Sequence, residues 1–175
     1  MTRILITGNA GSGKSTLAAR LGASLGLPVH GLDQIVWQPG WRKSPADWRR
    51  DREAELVAPP CWIIDGVSRT VLDAADYVIF LDVSRTTSFI RCARRNWKYL
   101  FRSRPGLPEH CPEILIIPRL IKIIWGFPTK VRPGILDALA DREGAYVVRD
   151  KAALDRAVAA ISRAATPQGA PLLMS

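Results

Sequence analysis

The stretch Arg3-Ile4-Leu5-Ile6-Thr7-Gly8-Asn9-Ala10-Gly11-Ser12-Gly13-Lys14-Ser15-Thr16 decides how the chain folds. Residues 3–7 form a short apolar, β-branched run closed by Gly8, the pattern of a strand buried on both faces. Beyond the glycines, Leu17, Leu21 and Leu25 recur on one helical face, and Gly26 and Pro28 stop the run. Between strand and helix, residues 8–15 satisfy the spacing G-x-x-x-x-G-K-[ST]. Glycines allow the unusual dihedrals of such a loop and the close approach of phosphate oxygens. Its N–H groups and the helix N-terminus then converge on an anion. Gly8, Gly11, Ser12, Gly13, Lys14, Ser15 and Thr16 are therefore expected to hold a nucleoside triphosphate. Lys14 would bridge the β- and γ-phosphates and the Ser15 hydroxyl would ligate a metal ion. The expected ligands are ATP and Mg²⁺.

Outward from this loop, strand-like runs at 29–32, 61–65, 77–82 and 145–149 alternate with helical patterns. The helical patterns cover 45–57, 86–101, 112–125 (irregular), 135–142 and 152–164. Such alternation predicts an α/β fold, a five-stranded parallel sheet with helices on both faces. Ligands in these folds sit at the carboxyl ends of the strands. One domain over 1–163 is expected, with a lid or insert over about 86–132 and a flexible tail at 164–175.

The chain has 175 residues, of which 47% are hydrophobic, so global disorder is excluded. Three cysteines at wide spacing, with no CxxC, suit a reducing, cytoplasmic setting. Two histidines in the whole chain make a structural zinc site improbable. The longest apolar stretch, 114–127, is broken by Pro118, Arg119 and Lys122 and is too short to span a bilayer, so no membrane partner is expected.

Asp33, Asp65 and Asp82 close the second, third and fourth predicted strands, which places all three at the carboxyl edge. A carboxylate there can hold a metal-bound water or accept a proton from an attacking hydroxyl. It can equally cap a helix. Asp65 is the candidate for the Mg²⁺ shell and Asp33 for orienting the phosphate acceptor; Asp82, followed by Ser84 and Thr86, reads more as part of a cap. Arg69, one turn past Asp65, could grip an anionic group of the acceptor. Trp37, Trp41 and Trp48 follow Asp33, where aromatic faces could stack on an acceptor or form the core of a small flap.

Asp65-Gly66-Val67-Ser68-Arg69-Thr70 resembles the Asp-Gly-x-x-Arg-Thr signature of adenylate kinases. A nearer resemblance rests on His30-Gly31-Leu32-Asp33, Trp37-Gln38-Pro39-Gly40-Trp41, Arg104-Pro105, Cys111-Pro112-Glu113, Phe127-Pro128 and Arg132-Pro133. Together these resemble the "DNA topology modulation" (FlaR-like) proteins, a branch of the adenylate-kinase-related P-loop kinases. In place of that branch's usual Asp-Gly-Asn-Tyr-Ser-Arg, this chain reads Asp65-Gly66-Val67-Ser68-Arg69, one residue shorter. The resemblance implies the strand order 2-3-1-4-5, an acceptor contact at Asp33, and lid arginines at Arg91 and Arg95.

The net charge is +9, and residues 85–132 hold eight Arg and three Lys against Glu109 and Glu113, so this segment accounts for all of it. Arg91, Arg94, Arg95, Lys98 and Arg102 recur at steps of three and four, which stacks like charges on one helical side. A triphosphate supplies the offsetting charge, and a basic lid also excludes water. Arg91 and Arg95 are the catalytic candidates of this segment, beside Lys14, Asp33 and Asp65. DNA phosphates are the second partner such a helix suits, and a solvated face is the third reading. The function expected is transfer of the γ-phosphoryl of ATP to a small acceptor, a nucleotide or nucleoside first, by a monomer or homodimer. The alternatives are a DNA-associated ATP-binding protein and a kinase of a small hydroxyl metabolite.

Overall fold

A computed structural model describes residues 1–101 and 109–165. The central sheet contains β1 (Thr2–Gly8), β2 (Val29–Gly31), β5 (Cys61–Asp65), β6 (Tyr77–Leu81) and β7 (Ala145–Val148), in the order β2-β5-β1-β6-β7 and parallel throughout. Counting only these strands, the order is 2-3-1-4-5. A two-stranded antiparallel hairpin, β3 (Trp37–Gln38) and β4 (Arg42–Lys43), lies apart from the sheet and was not foreseen.

The strands alternate at period two between two cores. Leu5, Trp62, Ile64, Val78 and Phe80 face one side, where they pack with α4 (Arg69–Ala74), α7 (Arg132–Leu139) and Phe127. Ile4, Ile6, Ile63, Ile79 and Leu81 face the other, against α1 (Lys14–Leu25) and α8 (Lys151–Ala165). Both faces being covered explains why these strands read as continuous apolar runs.

Helix limits differ from expectation for identifiable reasons. The chain enters α2 (Asp33–Val36) directly from the second strand. Helix α3 (Ala46–Val57) starts after Pro45 without a side-chain cap, so Ser44 does not cap it as its position suggests. Ser84 does cap α5 (Arg85–Lys98), its Oγ accepting from the Thr87 N–H at 3.2 Å. The irregular segment becomes α6 (Ile117–Lys130), which continues through Pro128. The expected tail begins as helix through Ala165, and the rest of it lies outside the described residues. So do Arg102, Arg104 and the rest of 102–108, within the expected lid.

Candidate functional site

The site is built where β1 ends. Gly8, Gly11 and Gly13 have φ of 147°, 76° and 101°, values that side chains disfavour. Gly11 has a second reason to lack a Cβ: it would stand 2.4 Å from the Ser88 carbonyl and 2.7 Å from the Cys92 Sγ. Helix α5 therefore rests directly on the phosphate loop. Gly13 precedes α1 with no side-chain cap, which leaves the first N–H groups of that helix for an anion.

Lys14 crosses the loop, its Nζ donating to the carbonyls of Gly8 at 3.0 Å and Asn9 at 2.9 Å. Loss of hydration pushes its pKa below the usual lysine value, partly offset by Asp33 and Asp65 and reinforced by Arg95. Both acidic candidates and Arg95 thus act on the lysine through space. The register sets Asp65 beside Ile6 of β1, and the Ser15 hydroxyl donates to Asp65 Oδ2 at 2.6 Å. Asp65 is buried, whereas Asp33 is exposed at the start of α2.

Arg91 reaches the loop from α5 and donates to the Ser12 carbonyl at 3.2 Å. Arg95, one turn on, donates to Asn96 Oδ1 at 3.2 Å. Arg94, on the same helix, is exposed. Thr16 is exposed in the first turn of α1, and Ser12 is buried with its hydroxyl lacking a hydrogen-bond partner among the described residues.

Three expected features are arranged differently. Arg69 is largely exposed and pairs with Asp73 at 3.0 Å, one helical turn away. Asp82 accepts from Arg132 Nε at 2.8 Å and Nη2 at 2.9 Å, and from Arg149 Nε at 3.0 Å. Those guanidiniums, Arg132 first, hold its carboxyl below the ordinary range against the opposing effect of burial. Arg132 is thereby a clamp from α7 to the end of β6 and not part of a basic lid. Trp48 stands on α3 with Arg52 over it at 5.5 Å. Trp37 and Trp41 meet edge to face at 5.4 Å. The Arg119 guanidinium covers Trp37 at 4.7 Å, and Trp41 Nε1 donates to the Pro112 carbonyl at 2.8 Å. The hairpin is thus closed onto the segment that leads into α6.

Asn9 was overlooked because it occupies a position the motif leaves open. Its side chain is buried, accepts from the Ala10 N–H at 2.8 Å and donates to the Ile124 carbonyl at 3.1 Å. Pro128 stands four residues beyond Ile124 and has no N–H to give that carbonyl. A proline inside a helix, paired with a polar side chain in the phosphate loop, is a signal that was present in the sequence.

The donors suit Mg²⁺. A hydroxyl and a carboxylate at hydrogen-bond distance are hard oxygen ligands, and Mg²⁺ takes one or two such ligands beside phosphates and water. Among the described residues there is no group of three or more His, Cys, Asp or Glu of the kind a fully protein-ligated ion needs.

No family model matches the chain, and no curated protein sequence matches it. Solved structures do match in fold. Shikimate kinase from Bacteroides thetaiotaomicron aligns at 16% identity and TM-score 0.55, covering 93% of this chain and 97% of that one. The fold is that of the P-loop kinases. The YorR protein from Bacillus subtilis, crystallised with phosphorylated GDP, aligns at 15% identity and TM-score 0.52 over 94% of this chain and 99% of that one. A gluconokinase from Sinorhizobium meliloti 1021 aligns at 15% identity and TM-score 0.51 over 94% and 93%. At such identities the likeness is one of architecture. Among the described residues no helix is long and apolar enough to cross a membrane.

Proposed function

We propose that this chain is an ATP-dependent phosphotransferase that moves the γ-phosphoryl group to a small acceptor, with a nucleoside or nucleotide the first choice. The observation that carries this is the Ser15–Asp65 hydrogen bond at 2.6 Å beside Lys14, which puts a hydroxyl, a carboxylate and an ammonium at one loop. The loop N–H groups and Lys14 hold the triphosphate, and Ser15 and Asp65 are the residues to hold Mg²⁺. Mg²⁺, when bound, supplies positive charge against the phosphate oxygens. Asp33 is exposed and near enough to Lys14 to affect it, the position for orienting an acceptor hydroxyl and taking its proton. Arg91 and Arg95 offset charge that develops during transfer. Trp37 lines the acceptor side, with one face already covered by Arg119.

The Arg69–Asp73 pair favours a second reading, in which the acceptor is a hydroxyl metabolite with no phosphate for Arg69 to grip. The resemblance to adenylate-kinase-related topology-modulation proteins keeps a third, a DNA-associated ATP-binding protein. The deciding experiment incubates the protein with γ-labelled ATP and a panel of nucleosides, nucleoside monophosphates and hydroxylated metabolites. Label on one acceptor supports the proposal and identifies its class. Label recovered only in ATP and inorganic phosphate contradicts it and favours the DNA-associated reading.

A further inference from the structure

Helix α5 is amphipathic in an inverted sense. Ser88, Arg91 and Cys92 face the phosphate loop, through contacts with Gly11 and Ser12. The apolar residues Ile90 and Trp97 lie on the opposite side of the helix, with Phe89 on its flank, and all three are exposed, Trp97 by 78%. A globular surface helix does the reverse and turns its apolar stripe inward. The exposed apolar surface continues onto α6, where Trp125 meets Phe89 edge to face at 5.9 Å. Two main-chain hydrogen bonds, Glu113 N–H to Tyr99 and Ile114 N–H to Leu100, both 3.2 Å, tie the segment before α6 to the residues just after α5, where Phe101 is 83% exposed. A continuous apolar surface of this kind marks an interaction site.

The charge around it selects the partner. Helices α5 and α6 contain no acidic residue, and besides Arg91 and Arg95 toward the phosphate loop and Arg119 over Trp37 they contain Arg85, Arg94, Lys98, Lys122 and Lys130. A second copy docking by the same face would oppose two positively charged surfaces. Nucleic acid satisfies the charge but gives Ile90 and its aliphatic neighbours nothing to bury against. An anionic bilayer satisfies both, since its interface accepts Trp, Phe and Ile while lipid headgroups attract Arg and Lys. We propose that the outer face of α5 and α6 docks this protein on anionic lipid surfaces, with the phosphate loop on the inner side. The sequence expectation of no membrane partner rested on the lack of a spanning stretch; the association proposed here is peripheral. It does not depend on which acceptor the enzyme uses.

The test is flotation of the full chain with phosphatidylcholine vesicles, with and without an equal part of phosphatidylglycerol. Binding only to the anionic vesicles is expected, weakened about tenfold or more in Trp97→Ser/Ile90→Ser and about fivefold in Arg94→Glu. Circular dichroism checks that each variant is folded, and wild type alone decides the first comparison. Failure of wild type to float with anionic vesicles at low salt overturns the proposal. So does binding that the apolar substitutions leave unchanged, which would mark a general polyanion site. A dimer in sedimentation equilibrium that Trp97→Ser/Ile90→Ser dissociates, with no flotation, assigns the face to a second copy and also overturns it.

Discussion

The Asn9 side chain donates to the Ile124 carbonyl at 3.1 Å, the carbonyl that Pro128 deprives of its helical partner. Phosphate loop and α6 are therefore joined by a bond that a regular helix would not leave open. Asn9→Ala strands a buried carbonyl and is expected to cost about 1–3 kcal/mol. In a Pro128→Ala background the restored N–H can serve Ile124, so the same substitution should cost about 1 kcal/mol less. Urea unfolding of the four proteins measures this coupling. Strictly additive costs would show that the proline and the asparagine are unrelated.

Asp82 and Asp76 set the acid limit of the fold. Asp82 is held by Arg132 and Arg149, and Asp76 by Arg3, whose Nη2 lies 2.8 Å away. Hydrogen bonds from these guanidiniums, chiefly, keep both folded-state pKa values lowered. Stability from a lowered carboxyl is whole above the unfolded value of about 3.9 and is lost as pH falls through the folded value. Asp82→Asn should cost about 1.5–3 kcal/mol at neutral pH and flatten the fall in stability below about pH 4. Denaturation midpoints across pH check this; a variant whose acid limb matches wild type would contradict it.

Ser15→Ala and Asp65→Asn should each weaken Mg²⁺ binding, raising the Mg²⁺ concentration needed for half-maximal turnover by about ten- to a hundredfold. Activity against Mg²⁺ at saturating ATP is the measurement. A profile unchanged in both variants would remove these residues from the metal shell.

Arg91→Ala should lower kcat by about a hundredfold or more with a smaller effect on KM, because its charge is needed most in the transition state. Arg94, on the same helix, does not share the Arg91 hydrogen bond to the Ser12 carbonyl, so Arg94→Ala should leave both within about twofold. Equal losses in the two variants would mean that the basic helix acts through its overall charge.

The sheet and the phosphate loop were legible because each rests on local pattern, whereas the strand order came from the family resemblance. Residues 4–6 and 61–64 are apolar without interruption, and the loop has fixed spacing. Asp65 followed from standing at the end of a strand next to β1. What was not legible depends on which partner a charged side chain finds. Arg69 found Asp73 within its own helix, and Arg132 found Asp82 fifty residues away. The hairpin at Trp37–Lys43 is too short for a period-two pattern, and its closure depends on Pro112, His110 and Arg119, all far along the chain. Asn9 could have been found only by asking what satisfies the carbonyl opposite Pro128.

The phosphotransferase reading rests on residues 8–16 being the triphosphate site. Calorimetric titration of wild type and Lys14→Ala with MgATP tests this most directly. Lys14 provides charge-assisted hydrogen bonds, so its loss should weaken binding by about ten- to a hundredfold while the fold, read by circular dichroism, persists. Equal affinity in the two proteins, or no MgATP binding by wild type, would contradict the account.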